Sequence, residues 1–228
     1  MALVRFYRTT IGKKIVMAVT GAVWVGYVVL HMFGNLKFFA GPGTRVGTIN
    51  AWAVFLREFG QDVLGYAGVL WLVRAVLVVA LIGHVVTAVQ LSKLDLDSRP
   101  VAYARRRYVR TDLAARSMRW GGLFILLFVV YHVLHITTGD VHPDFVEGDV
   151  YHNLVTGLGP PLAGTIYVAA MVVLGLHLYH GTWSLLQTLG LDAYAPDGPI
   201  RRLGHVLAVV VAGGFALVPL AILFGLMR

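Results

Sequence analysis

The sequence predicts an all-α fold, a transmembrane bundle of five helices that forms one membrane domain over residues 1–228. Three observations carry that prediction. The chain is 58% hydrophobic and only 13% charged, with a mean hydropathy of +0.75, whereas a water-soluble domain carries about 25% charged residues. Five apolar segments, 15–36, 68–91, 120–138, 162–189 and 204–226, are each long enough for a bilayer core, which takes about 20 helical residues. Lysine and arginine gather on alternate connections. Of the 19, 14 fall in 1–14, 92–119 and 190–203, against four on the opposite side (Lys37, Arg45, Arg57 and Arg228), with Arg74 inside a span. That bias predicts a cytoplasmic N-terminus and an outside C-terminus, in a multi-pass protein of a bacterial cytoplasmic membrane.

The first span follows a basic start and is not ended by a small-residue cleavage site, so it is expected to be retained rather than removed as a signal peptide. The second and fourth spans exceed the hydrocarbon thickness and are expected to tilt or protrude. The third follows the basic block "YARRRYVRTDLAARSMRW" (103–120), which suits an anionic lipid surface or an acidic protein partner. The net charge of +8 is therefore a topology signal, and nucleic acid is not an expected partner. Cysteine is absent, which excludes disulfides, thiolate metal sites and cysteine-ligated iron–sulfur clusters. Any metal must be held by histidine or oxygen.

Six histidines, His31, His84, His132, His135, His177 and His180, lie within spans, where ionisable side chains are functional candidates by default. One from each of the first four spans (His31, His84, His132, His180) sits late in its span. Successive spans run in opposite directions, so "late" alternates between the two faces. At 1.5 Å per residue, His84 and His180 lie nearer the cytoplasm and His31 and His132 nearer the outside. Two histidines at each of two levels suit the axial positions of two b-type haems, since imidazole is a natural iron ligand and bundles build cofactor sites from facing helices. Spacing alone does not choose between His132 and His135, or between His177 and His180, because each pair is three residues apart on nearly one helical face. His142 and His152 read as solvated loop residues. A zinc site fits less well, because the histidines do not converge at one level.

The opening "TTIGKKIVMAVTGAVWVGYVVLHMFGNL" resembles the start of the cytochrome b membrane-anchor subunit of succinate:quinone oxidoreductases (succinate dehydrogenase and fumarate reductase), in the single-chain two-haem form. "MRWGGLFILLFVVYHVLH" is similar to that family's third span, with the ligand ten residues after a glycine, which from Gly122 gives His132. "HLYHGTWSLLQTLG" resembles its His-Gly pair and favours His180. The resemblance covers essentially the whole chain. It implies that His84 and His180 ligate a proximal haem, and His31 and His132 a distal one. It also implies an iron–sulfur subunit and a flavoprotein subunit as partners, with electrons passing to a quinone; the two-haem form is associated with menaquinone. This chain has no flavin or cluster motif, so the dicarboxylate chemistry would belong to the partners. The basic segment 103–119 would then dock the iron–sulfur subunit.

Arg74 lies ten residues before His84, about 15 Å toward the outside, where it could meet a haem propionate or snorkel to the interface. Glu58 is the candidate for proton transfer with a quinone. Asp62, four residues on, would share its face if the segment is helical. Trp52, Phe55 and Trp71 could line a quinone pocket or belong to an interfacial aromatic belt. Two other functions fit the same histidines: a di-haem quinol-oxidising cytochrome b of another redox complex, and a haem-free proton-coupled transporter.

Overall fold

The computed structural model describes residues 2–98, 113–191 and 198–227, and among them all regular structure is helical. A short basic helix α1 (Ala2–Arg8) leads into α2 (Thr10–Leu36), which ends in a 3₁₀ turn at Lys37–Ala40. Next come α3 (Ile49–Glu58), a single turn α4 (Gln61–Leu64), and the long α5 (Gly68–Asp97). After 99–112, α6 (Leu113–His132) passes into a π-helical turn at Val133–Thr137. Then follow α7 (Val150–Leu158), α8 (Pro161–Thr188) and α9 (Pro199–Leu223).

Five of these helices are long and apolar enough to cross a membrane: Thr10–Ala40, Gly68–Asp97, Ser117–Thr137, Pro161–Thr188 and Arg201–Leu223. Their outer surfaces are open and apolar. On α5 alone, Val76, Val79, Ile82, Val86 and Val89 are exposed. So continuous an apolar surface has to be covered by lipid or by other protein. The 30 residues of α5 make a rod of about 45 Å, longer than a hydrocarbon core of about 30 Å.

Local chemistry fixes where the spans begin. The Thr9 hydroxyl accepts the Gly12 N–H at 3.0 Å and caps α2. A Cβ at Gly12 would stand 2.1 Å from the Phe6 carbonyl oxygen, so the tight turn from α1 into α2 requires glycine. Pro161 opens α8 in the first turn, where its missing N–H costs nothing.

The spans alternate in direction. The end of the bundle that carries α1 is called the near end here, and the opposite end the far end. α8 packs against α6 and α9, and α2 against α5, α8 and α9. Among the long helices α5 packs closely on α2 alone, which leaves an open space between α5 and the α6–α8 pair.

The far end is closed by a cap. Phe38 is completely buried, and with Ile49, Tyr151, Leu154, Leu158, Tyr167, Val218 and Ile222 it forms the larger apolar cluster of the chain. The Asn50 side-chain N–H donates to Asp149 Oδ1 at 2.9 Å, and Asn50 Oδ1 accepts the Tyr151 N–H at 3.0 Å, tying α3 to α7. The Asn153 carboxamide accepts the Val146 N–H and donates to the Val146 carbonyl, both at 2.8 Å, holding the connection before α7. Asp149 also caps α7 by accepting the His152 N–H. That N–H and the Asn50 side chain hold the Asp149 carboxyl below its ordinary range.

Candidate functional site: two histidine pairs in one cavity

The space between α5 and the α6–α8 pair is a cavity of about 2360 Å³, more than twice the upper end for a single small-molecule site, roughly 1,000 Å³. It runs from Lys14, Lys93 and Arg119 at the near end to Thr137, Glu147 and Asn153 at the far end. Apolar side chains make most of its wall. His31, His84, His132, His177 and His180 all line it.

The pairing follows from helix register. On α2, a Cβ at Gly21 would lie 3.5 Å from His84 Cε1 of α5. On α6, a Cβ at Gly122 would lie 3.7 Å from His177 Cε1 of α8. These contacts define the near level, where the rings of His84 and His177 face each other at 6.3 Å between centroids. Ten residues further along α2 and α6, about 15 Å, stand His31 and His132, with ring centroids 6.0 Å apart. The returning helices keep the same offset: Tyr167 precedes His177 by ten residues on α8, and Arg74 precedes His84 by ten on α5. Each helix thus contributes one residue to each level.

Hydrogen-bond partners leave Nε2 unprotonated on His84 and His31. The Thr20 hydroxyl donates to the Val16 carbonyl at 2.7 Å, so its oxygen is an acceptor toward His84 Nδ1 at 3.3 Å. That arrangement puts the His84 proton on Nδ1. Asn35 Nδ2, which can only donate, lies 3.4 Å from His31 Nε2, so that nitrogen carries a lone pair. His177 Nδ1 is buried without a hydrogen-bond partner. Around the far level the imidazoles are braced by aromatic rings: Tyr27 stacks on His31 at 5.3 Å and Phe128 on His132 at 5.9 Å, each one helical turn away, and Phe215 of α9 reaches His31 at 5.5 Å.

Other predicted site residues fall as follows. His180 lies one turn beyond His177 toward the near end, with its ring 5.6 Å from that of Trp183; the ring brought to His84 is that of His177. His135 is 2% exposed, stacked on Tyr131 at 5.0 Å and bonded through Nδ1 to the Tyr167 hydroxyl at 3.1 Å. The π turn after His132 carries it away from the cavity and toward the cap. Arg74 lines the cavity with its guanidinium 4.7 Å over the Trp71 ring. Glu58 is exposed at the end of α3 and outside the cavity wall, whereas Arg57 is part of it. α3 stops there because Gly60 turns left-handed (φ 73°), so Glu58 and Asp62 do not share a helical face. Trp52 also lines the cavity, and a Cβ at Gly34 would come within 2.6 Å of its Nε1, so Gly34 admits the indole against α2. Trp71 also lines the cavity while exposed on its outer side, whereas Phe55 is exposed and outside the wall.

His142 is half-buried rather than solvated, its Nε2 donating to the Asn153 carbonyl at 2.9 Å and its ring 5.1 Å from His135. His152 Nε2 lies 3.2 Å from Asp144 Oδ2. Residues 103–112 of the predicted docking segment, including Arg105, Arg106 and Arg107, lie outside the described residues.

Sequence reasoning gave no role to Tyr167, Thr20 or Gly21. Tyr167 was findable, because it precedes His177 by the offset that separates Arg74 from His84.

The residues fit a pair of bis-imidazole metal centres on flat cofactors. A metal–imidazole bond is about 2 Å, so two such bonds plus the ring radii account for centroid separations near 6 Å. The cavity is large enough for two cofactors. Gly21 and Gly122 keep the near-level rings clear of side chains, and His177 Nδ1 and Trp24 Nε1 are buried polar atoms on the cavity wall with no hydrogen-bond partner. No family model matches the chain, and no curated protein or solved structure is significantly similar to it.

Proposed function

We propose that this chain is the di-haem cytochrome b subunit that anchors a succinate dehydrogenase to the bacterial cytoplasmic membrane and passes electrons to a quinone, with menaquinone the favoured acceptor. One observation carries the reading: two facing histidine pairs, 6.0 and 6.3 Å between ring centroids, at two levels of one cavity. A haem held between two such imidazoles would supply one-electron transfer.

The protein's own residues divide the work. His31 and His132 would hold the far-level haem. His84 and, by the ring facing it, His177 would hold the near-level haem, in place of the His180 favoured by the sequence resemblance. Thr20 orients His84 by accepting its Nδ1–H, which keeps Nε2 toward the cavity. Arg74, level with His31 and His132 by its ten-residue offset, offers a cation to a haem propionate. The near end is taken as cytoplasmic, with Lys14, Lys93 and Arg119 at the cavity mouth. There the segment 103–119 would receive the iron–sulfur subunit, itself bound to the flavoprotein. At the far end, Trp52 and Arg57 offer a quinone an aromatic surface and a hydrogen-bond donor, and Glu58 stands on the solvent side for proton exchange.

The test is haem content per chain with a reduced-minus-oxidised spectrum on the purified membrane complex. Two b-haems are expected. One should be lost in His31→Ala or His132→Ala, and the other in His84→Ala or His177→Ala. Loss of the near-level haem in His180→Ala, with retention in His177→Ala, would restore the His180 assignment. Absence of haem in the unaltered protein would overturn the reading and leave the histidines to a proton path. Copurification with a dehydrogenase and loss of that partner on charge reversal at Arg105, Arg106 and Arg107 would separate this function from that of another di-haem cytochrome b.

A further inference from the structure

Tyr167 of α8 sits between two histidines of one helix. Its hydroxyl is 3.3 Å from His132 Nδ1 and 3.1 Å from His135 Nδ1. The group has one hydrogen, so it can donate to only one of these nitrogens; the other imidazole must donate to its oxygen. The surroundings decide which. His132 turns toward His31 and the cavity. To offer Nε2 to a metal, it must carry its proton on Nδ1. The order that satisfies every contact is His132 Nδ1–H donating to Tyr167 Oη, and Tyr167 O–H donating to His135 Nδ1. His135 is well placed as the terminal acceptor: it is buried, stacked on Tyr131 and in ring contact with His142.

We infer that Tyr167 is a positioning residue: backed by His135, it fixes the proton of His132 on Nδ1 and thereby sets the reduction potential of the far-level haem. The inference rests on the two-haem reading. The physical reason is that an imidazole donating its second N–H to a good acceptor is a more basic ligand, which favours the oxidised metal. A hydroxyl that itself donates onward is polarised and accepts more strongly. The near level is held by other residues, ten positions and about 15 Å away from Tyr167 along the helix, where the Thr20 hydroxyl that faces His84 donates onward to the Val16 carbonyl. His84 donates to a threonine hydroxyl, and His177 Nδ1 has no partner. The effect of losing Tyr167 should therefore be confined to one haem.

The experiment is a potentiometric titration of both haems in the purified complex, unaltered and with Tyr167→Phe, the far-level haem being identified as the one missing from His31→Ala. Tyr167→Phe is expected to keep two haems and to shift the reduction equilibrium of the far-level haem about tenfold toward the reduced form. That is a rise of 59 mV for a one-electron couple; the near-level potential should not move. His135→Leu should shift the same haem in the same direction by less, and His135→Gln, whose side-chain oxygen can accept the tyrosine O–H, should restore it. A tyrosine serving packing alone would alter occupancy without moving the potential. Two haems in Tyr167→Phe with both potentials unchanged would overturn the inference and leave the haem reading standing. Absence of haem from the unaltered protein would overturn the reading beneath it. Should Tyr167→Phe lose the far-level haem, the His135→Leu titration decides: a shift supports the chain, and no shift overturns it.

Discussion

Replacing Asn50 by alanine tests whether the far-end cap is a separately stabilised unit. Asn50 is 6% exposed and makes two bonds across the α3–α7 contact. The bond to Asp149 is charge-assisted and contributes about 1.5–3 kcal/mol; removing the acceptor of a buried backbone N–H such as that of Tyr151 costs about 1–3 kcal/mol. Asp149 is partly solvated, so values in the lower part of each range apply, and the two effects together weaken the closed cap by about 3 kcal/mol. At 1.4 kcal/mol per factor of ten, that raises the open population roughly hundredfold. Hydrogen exchange followed peptide by peptide in a lipid disc would read it: amides of α3 and α7 should exchange about a hundredfold faster in Asn50→Ala, with the centres of α8 and α9 unchanged. An increase below about tenfold at α7, or an equal increase across the spans, would refute the reasoning, because the cap would then either not depend on Asn50 or not open on its own.

On the two-haem reading, Gly122→Ala should leave both haems in place, because its Cβ would sit at ordinary contact distance, 3.7 Å, from His177 Cε1. Gly122→Leu should displace that ring and remove the near-level haem alone, halving the Soret absorbance. At Asp149 the folded-state pKa is depressed, so its carboxylate stabilises the cap above the unfolded value of about 3.9. That contribution is lost as pH falls through the lower folded value. The thermal midpoint of the protein should therefore hold down to about pH 4 and drop below it, with a shallower drop in Asp149→Asn.

Hydropathy and the direction of each span made much of this architecture legible beforehand. The five spans and the two levels of histidine need only a 1.5 Å rise and an alternation of direction. The choice between His177 and His180 needs something local sequence does not carry, the axial register of α8 against α5 and α6. Packing sets that register, through Gly121 against Val173 and Gly122 against His177, and these contacts join residues more than fifty positions apart. The stretches 37–67 and 138–161 read as connections because they are rich in glycine and polar side chains. They instead fold over the far end, because Phe38, Tyr151, Leu154 and Leu158 are buried together and Asn50 ties α3 to α7 through Asp149 and the Tyr151 N–H. His142 looked solvated for the same reason. Spacing alone leaves His132 and His135 equivalent because the i, i+3 rule assumes an unbroken α-helix. The π turn at Val133–Thr137, marked by the Thr138 N–H bonded to the Val133 carbonyl at 3.0 Å, breaks that assumption.

The ten-residue offset shared by α2, α5, α6 and α8 has an electrical consequence. A spacing of about 15 Å is half of a hydrocarbon core of about 30 Å. On the proposed reading, an electron moving from one level to the other crosses about half of the membrane's voltage drop. A whole crossing is worth about 2.3 kcal/mol per 100 mV, so this step gains or loses roughly 1 kcal/mol for each 100 mV, according to direction. On that reading, the geometry of four helices would make the driving force of a chemical reaction a function of how strongly the cell is energised.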